Sequence, residues 1–211
     1  MKIDGSNALQ ILVLVGGLSL IPAILFTVTG FTRILIVLGF IRSAMGTNTT
    51  PPNQVLVGIA LFLTLFVMSP TISAIKKDAW VPLEHHKIPM STAITRAEEP
   101  LREFMFRQVQ GQDLTLFVSL ARIKTPQTRA ELPTYVLIPA FIMSELKTAF
   151  QIGFLIFLPF LIIDLIISST LMSVGMMMLP PTFISLPFKI LLFVLVDGWD
   201  LITHSLIASF H

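Results

Sequence analysis

Apolar and polar positions divide the chain into three blocks. It has 14 basic and 12 acidic residues, and 16 of these 26 charges lie between Lys76 and Glu131. The blocks 1–75 and 133–211 are therefore strongly apolar, whereas the middle block 76–132 is polar. Long apolar runs with few charges favour helices in a membrane or in a hydrophobic assembly. We predict an all-α protein with three domains, namely two long, kinked hydrophobic helical hairpins and a small polar helical domain between them.

The N-terminal block contains two candidate membrane spans. The run 8–29 carries no charge and exceeds the ~20 residues that cross a bilayer. A second apolar run covers 55–68, and the segment 46–52 between the two reads as a loop. The first helix is predicted to continue past a break near Gly30. The link carries Arg33 and Arg42 but no acid, which predicts a cytoplasmic position for the link and an outer position for the middle block.

The polar middle block is predicted to form a helical hairpin on the extracytoplasmic side. Glu98, Glu99 and Pro100 are typical of a helix start, and Gly111 is predicted to end that helix. Asp113 is predicted to cap a second helix. Each helix has apolar residues at helical spacing on one face, at positions 97, 101, 104 and 105 in the first and 114, 117, 118 and 121 in the second.

The C-terminal block carries charges that are costly in an apolar setting. A charge at the bilayer centre costs on the order of 3 kcal/mol, so Glu145, Lys147, Asp164 and Lys189 cannot all face lipid singly. We predict that they are paired, face water or lie outside the bilayer. Lys189 is the best cation for Glu145 or Asp164, on the facing helix or on another subunit. Such pairs could set helix register or take part in gating, and both interpretations stay open. The block also contains Asp197 and Asp200, to which we assign no specific role.

A methionine-rich string follows the first long helix of this block. Residues 175–181, here called the methionine turn, read GMMMLPP and contain Met176, Met177 and Met178. The proline pair stops a helix, so the methionines are predicted at a helix end or turn. Methionine is flexible and polarizable. Several copies around one axis would form a soft apolar ring, although a methionine run alone is more often core filling.

Composition argues against most catalytic and nucleic-acid functions. The net charge is only +2, and there is no cysteine. The sequence has no zinc-protease, nucleophile-elbow or phosphate-loop motif. Adjacent His85 and His86 point in different directions, so a metal site is unexpected. We expect no enzyme activity, cofactor or metal. An ion or small-molecule transporter would usually show internal repeats, and an intramembrane enzyme would need a dyad such as Asp164 with Asp197.

The sequence closely resembles the FliP family of flagellar export-gate proteins, which are related to virulence type III secretion proteins. The resemblance is carried by long strings over 31–70 (FTRILIVLGFIRSAMG and onward), 101–123, 135–181 and 184–199, and GMMMLPP has the flagellar form. Residues 80–95 match weakly. It implies several copies, a pentamer-like assembly with FliQ-like and FliR-like partners, and a pore for unfolded flagellar proteins.

The resemblance also implies roles for individual residues and a location. The family's methionine gasket carries over onto Met176, Met177 and Met178. Its acid–base contact between subunits carries over onto Glu145 and Lys189. Such an assembly is expected at the inner membrane of the flagellar basal body, as a helical cone with much of its mass on the periplasmic side.

Overall fold

The computed structural model describes residues 16, 19, 22–47, 49–176 and 178–210. All regular secondary structure in these residues is helical, which confirms the predicted all-α class. The helices are α1 (Pro22–Val28), α2 (Phe31–Ala44), α3 (Asn53–Ile75), α4 (Val81–Glu84), α5 (Met90–Gln108), α6 (Gly111–Leu120), α7 (Thr134–Ser173), α8 (Pro181–Leu195) and α9 (Gly198–Ala208). A π-helical turn, Lys76–Trp80, joins α3 to α4, and a short 3-10 turn, Arg129–Glu131, precedes α7.

Helix α7 is the central packing element. It is 40 residues long, or about 60 Å at 1.5 Å per residue, and it contacts α2, α5, α6 and α8. It continues through Pro139 and Pro159, both of which lie inside it. Helix α2 lies against it and buries Ile34, Val37 and Ile41 completely. These side chains belong to a single hydrophobic core that also receives residues from the polar middle block, such as Phe104 and Met105 of α5.

The middle block forms the two predicted helices but begins them elsewhere. Helix α5 begins at Met90, so Pro100 lies inside it, and Gly111 begins α6 rather than ending α5. A proline inside a helix removes one backbone hydrogen bond and costs about 3 kcal/mol. Tertiary packing on both sides offsets this cost, because Ala93 before Pro100 and Phe104 after it are buried. The predicted helix start at residues 98–100 was therefore wrong.

A buried arginine fastens the start of α7 to α5. The Arg102 guanidinium donates to the carbonyl oxygen of Leu132 at 2.7 Å and to that of Arg129 at 3.0 Å. It also donates to the Thr134 hydroxyl, which in turn bonds Glu98. These bonds satisfy carbonyl groups that turn away from regular structure, and they fix where α7 begins.

Two long helical stretches have the length and composition to cross a membrane. They are Asn53–Glu84 and Thr134–Ser173. Two bent pairs also qualify if each counts as one span: α1 with α2 and α8 with α9. The pairs bend by 83° and 65° respectively. The first bend occurs at residues 29–30, which confirms the predicted break near Gly30. The remainder of the predicted span 8–29 lies largely outside the described residues.

Candidate functional site

Arg33 and Glu145 are two of the buried charges in the described chain. Their side chains are 2% and 1% exposed and form an ion pair between α2 and α7. The Arg33 Nε donates to one carboxylate oxygen of Glu145 at 3.0 Å, and Nη2 donates to the other. This two-point geometry is the strongest arrangement that an arginine makes with a carboxylate. The pair joins residues 112 positions apart and fixes α2 on α7.

The remaining donors of Arg33 bind α5 and the segment after α9. Nη1 donates to the Ser209 carbonyl oxygen at 2.7 Å, and Nη2 donates to Gln108 Oε1 at 3.0 Å. The guanidinium also lies 3.9 Å from the centre of the Phe210 ring. We call these five residues, Arg33, Glu145, Gln108, Ser209 and Phe210, the Arg33 cluster. It satisfies a buried cation that would otherwise be very costly.

Sequence reasoning missed the role of Arg33. We placed it in the link between two candidate spans, but in the structure it lies within α2 and is buried. A lone arginine in the apolar string FTRILIVLGF was a usable signal, because a buried guanidinium needs an acid. The predicted membrane orientation now rests on Arg42 alone, which is partly exposed and bonds Asn53 at the start of α3.

A second charged pair fastens α6 onto α7. Asp113 is buried, and Lys147 Nζ donates to its Oδ1, while the Ser144 hydroxyl donates to Oδ2 at 2.7 Å. Ser144 also accepts a hydrogen bond from the backbone N–H of Gln110 at 2.9 Å. The sequence predicted that Asp113 caps α6, and this prediction was wrong. Gln110 occupies the cap position and makes no side-chain capping bond.

The environment of Asp113 favours its ionised form. Burial alone would raise the pKa of the carboxyl, but the hydrogen bonds from Lys147 and Ser144 outweigh it. The positive charge of Lys147 adds to their effect, and the net result is a lowered pKa for Asp113. Lys147, one of the charges predicted to need a partner, thus has one on α6.

The third pair joins α7 to α8 below the methionine turn. Lys189 Nζ donates to Asp164 Oδ2 at 2.6 Å, and the Ser185 hydroxyl donates to Oδ1 at 2.6 Å. Lys189 and Ser185 are buried, and Asp164 is partly exposed. Of the two acids that the sequence offered to Lys189, the single chain selects Asp164.

Glu145 and Lys189 consequently have different partners within one chain. Arg33 encloses Glu145, and Asp164 holds Lys189. The pair Glu145–Lys189 is therefore not formed inside the chain, because the carboxylate of Glu145 is already taken by the two-point contact with Arg33. A contact between these two residues across subunits stays a prediction, and it would require both ion pairs to open.

The methionine turn connects α7 to α8, where the sequence predicted a turn. Helix α7 ends at Ser173, and α8 begins at Pro181. Met176 is 44% exposed and Met178 is 97% exposed, whereas Met177 lies outside the described residues. Gly175 has φ of +78°, a conformation in which glycine is favoured because it lacks a Cβ. The turn thus presents at least two thioether side chains away from the core.

The remaining predicted residues lie apart from these clusters. Asp197 and Asp200 are exposed at the start of α9, and Asp197 has φ of +50°. His85 and His86 are exposed after α4. In the part of the chain that the structure describes, no three His, Asp or Glu side chains are grouped to hold a metal ion.

Taken together, these features define a class of protein: a helical membrane protein with apolar outer faces, in which buried charges join helices. The chain belongs to the FliP family, whose model matches residues 14–206. It is 55% identical to the flagellar biosynthetic protein FliP of Bacillus subtilis, covering 97% of this chain and 93% of that protein. The same-named protein of Pectobacterium carotovorum is 55% identical over 97% of this chain and 79% of its own length.

A more distant relative agrees with this assignment. The flagellar biosynthetic protein FliP of Borreliella burgdorferi is 48% identical over 99% of this chain and 85% of its own length. These matches confirm the family resemblance that the sequence strings indicated. Membership and the apolar helices support a membrane-embedded protein of flagellar biosynthesis and protein export.

Proposed function

We propose that this chain is a core subunit of the flagellar protein export gate. Several copies, in a pentamer-like assembly with FliQ-like and FliR-like partners, surround a pore through which unfolded flagellar proteins cross the inner membrane. The chain contributes no catalytic activity. The observation that carries the proposal is the methionine turn, an exposed thioether-bearing loop on a fixed stem, in a chain that belongs to the FliP family.

Assembly is supported by the exterior of the apolar blocks. Large apolar side chains remain exposed along α3, α7 and α8, such as Phe62, Phe66, Phe154, Leu165 and Leu195. Soluble monomers rarely expose apolar surface on this scale, and such patches mark contacts with proteins or membrane. Sister chains and partner subunits would cover these faces in the assembled gate.

The methionine turn is suited to act as a gasket. Its side chains can rotate and repack around contents of different shape, and Met178 is almost fully exposed in the single chain. The stem beneath it is fixed by Asp164, Ser185 and Lys189. A soft tip on a fixed stem would close an axial pore when empty and yield when a chain passes.

The decisive experiment replaces the three methionines. A variant with Met176→Ala, Met177→Ala and Met178→Ala should leave a gap in the ring and let ions or small solutes leak through the opened gate. Leak would be measured as loss of membrane potential in cells that express the complete gate. Met90→Ala, which removes an equally flexible exposed side chain at the start of α5, serves as the matched control and should not leak. A sealed, normally exporting triple variant would contradict the gasket role.

The predicted contact between Glu145 and Lys189 of neighbouring subunits has its own test. If it forms in the assembled gate, cysteines replacing the two residues in separate copies should cross-link between subunits. The chain contains no cysteine of its own, so any covalent dimer would report this contact. If Glu145 and Lys189 only make their ion pairs within one chain, no covalent dimer should form.

We further propose that the assembly sits at the inner membrane within the basal body, with much of its mass on the periplasmic side. The polar middle block, which carries most of the charge, would then lie outside the cytoplasm. Cysteines placed at exposed positions of α5 should react with a membrane-impermeant maleimide added to the periplasm. Reaction only after the inner membrane is opened would place the block in the cytoplasm instead.

A further inference from the structure

A phenylalanine from the far end of the described chain fills the bend between α1 and α2. A Cβ added at Gly30 would lie 2.6 Å from both Cε1 and Cζ of Phe210. The Phe210 ring therefore occupies the space that a side chain at position 30 would need. Phe210 is only 6% exposed, although 180 positions separate it from Gly30.

The position of this ring is determined from several sides. The Arg33 guanidinium lies 3.9 Å from the ring centre, and Phe104 of α5 stacks on it at 6.3 Å. The Phe210 carbonyl oxygen accepts a hydrogen bond from Gln108 Nε2 at 3.0 Å. Ser209 is held by Arg33 at its carbonyl and its hydroxyl. These contacts belong to α2 and α5, so the ring is fixed to the body of the protein rather than to α1.

The bend also has local bonds, one of which joins α2 to α1 across it. The Thr29 hydroxyl accepts the Phe31 N–H at 3.2 Å, and the Thr32 hydroxyl donates to the Phe26 carbonyl at 2.8 Å. Such bonds satisfy backbone groups freed where the helix breaks. Gly30 has φ of −71° and ψ of 1°, a conformation open to other residues, so its lack of a side chain serves the approach of Phe210 rather than the backbone.

We propose that Ser209 and Phe210 form a wedge that holds the bend between α1 and α2 at its angle of 83°. With the ring in place, α1 is directed away from the axis of α2. Without it, we expect α1 to turn about residues 29–30 toward a straighter continuation of α2. The wedge thus holds the angle of a helix hinge through contacts that are distant in sequence. This proposal does not depend on the methionine turn or on the proposed gate.

The proposal predicts a measurable change in distance. Spin labels on Ala23→Cys in α1 and Ser43→Cys in α2 lie on exposed positions, and the chain has no other cysteine. At 1.5 Å per residue, their backbones are about 22 Å apart across a right-angled bend and about 30 Å apart across a straight helix. Double electron–electron resonance on the full chain, diluted with unlabelled copies, should show a narrow distribution of label-to-label distances near the shorter value.

Removal of the wedge should shift this distribution. Phe210→Ala should broaden it and move its centre toward the longer distance by several ångströms. Gly30→Ala should do the same by expelling the ring, and adding Gly30→Ala to Phe210→Ala should cause no further change. Phe183→Ala, which removes an exposed ring on α8, should leave the distribution unchanged. If Phe210→Ala does not accumulate, Phe210→Leu takes its place, because leucine keeps apolar bulk but does not reach as far.

Three results would overturn the proposal. The first is an unchanged distribution in a folded Phe210→Ala or Phe210→Leu variant. The second is an equal shift in Phe183→Ala, which would show a general loosening of the chain. The third is a larger shift in the double variant than in Phe210→Ala alone, which would assign the angle to the backbone at Gly30.

Discussion

At the scale of single residues, Arg33 illustrates why one particular buried cation is an arginine rather than a lysine. Its guanidinium serves both oxygens of Glu145, the Ser209 carbonyl and the Gln108 amide oxygen at the same time. Lysine offers a point charge with three donors and cannot reproduce a planar fork. The cluster therefore depends on geometry as well as on charge.

We expect Arg33→Met to lower the stability of the folded protein strongly. Removing one partner of a buried ion pair costs about 3–5 kcal/mol, because the other charge is left unpaired. Arg33→Lys should restore only part of the loss. The double variant Arg33→Met with Glu145→Leu should be more stable than Arg33→Met alone, because no charge remains buried. The measurement is the melting temperature of the purified protein in detergent.

A matched control is available on the same helix. Arg42→Met removes a partly exposed arginine that is not in an ion pair with an acid among the described residues, so its melting temperature should change little. Equal losses in Arg33→Met and Arg42→Met would argue that α2 tolerates neither change for reasons unrelated to the Arg33 cluster.

Asp113 gives the protein a predictable response to acid. Its pKa is lower in the folded chain than the ordinary value near 4, so the folded state binds fewer protons than the unfolded state. The stabilisation is present above about pH 4 and is lost as pH falls through the lowered pKa. Asp113→Asn should reduce stability at neutral pH and flatten its acid dependence.

The test compares melting temperatures between pH 6 and pH 3. Asp200→Asn, which alters an exposed acid at the start of α9, should keep the acid dependence of the original chain. An Asp113→Asn variant with an unchanged acid profile would show that the ion pair with Lys147 does not contribute to it.

The residue scale also shows how far sequence reasoning could reach. The cost of burying charges correctly singled out Glu145, Lys147, Asp164 and Lys189 as groups that need partners. It offered Asp164 as one of two acids for Lys189, and the structure forms that pair. It could not name Arg33 or Asp113, because these residues meet Glu145 and Lys147 only after helices distant in sequence pack together. Arg33 was assigned to the link between the two candidate spans, and its charge was used for membrane orientation rather than counted among the charges that need a partner.

At the scale of elements, helical periodicity was reliable and helix ends were less so. The apolar faces of α5 and α6 were predicted correctly, yet Pro100 was read as a start although it lies within α5. Acidic residues and a proline favour a helix start at this point when the segment is considered alone. Burial of Ala93 before Pro100 and of Phe104 after it stabilises a helix that continues through the proline. The methionine turn was predictable because glycine and two prolines limit the chain there regardless of packing.

The stem of the methionine turn should be measurable by hydrogen exchange. Lys189→Met removes a hydrogen bond to a charged group, worth about 1.5–3 kcal/mol, and leaves Asp164 with Ser185 alone. Amide exchange in the first turns of α8 should then become at least tenfold faster. The added change Asp164→Asn should reverse part of this effect, because asparagine carries no unpaired charge.

A different outcome would show that Lys189 acts between subunits rather than through its ion pair with Asp164. If Lys189→Met leaves exchange in α8 unchanged but prevents assembly, Lys189 acts mainly between subunits, as the family resemblance implies for Glu145 and Lys189. Phe188→Ala, which removes an exposed side chain from the neighbouring position, separates a general loosening of α8 from loss of the ion pair.

At the scale of the whole molecule, three ion pairs lie between packed helices, whereas many large apolar side chains face outward. The three ion pairs α2–α7, α6–α7 and α7–α8 all converge on α7, so the middle block is tied to both apolar blocks. Phe154, Leu165 and other large apolar groups on α7 are left largely exposed by the part of the chain that the structure describes. Sequence composition indicated this excess of apolar surface. It could not show which helix faces stay exposed, because that depends on how the helices pack on one another.

Cross-linking through α7 should decide whether sister chains or lipid cover this surface. Phe154 and Ile94 have similar exposure, 62% and 59%, but lie on α7 and on the polar α5. In the cysteine-free chain, Phe154→Cys should form covalent dimers with a short bifunctional reagent in the assembled gate, because neighbouring copies would meet along α7. Ile94→Cys tests whether contact extends to the polar block. Reaction of Phe154→Cys only with a lipid-soluble maleimide, and never with another chain, would assign this face to acyl tails and contradict a seam between copies there.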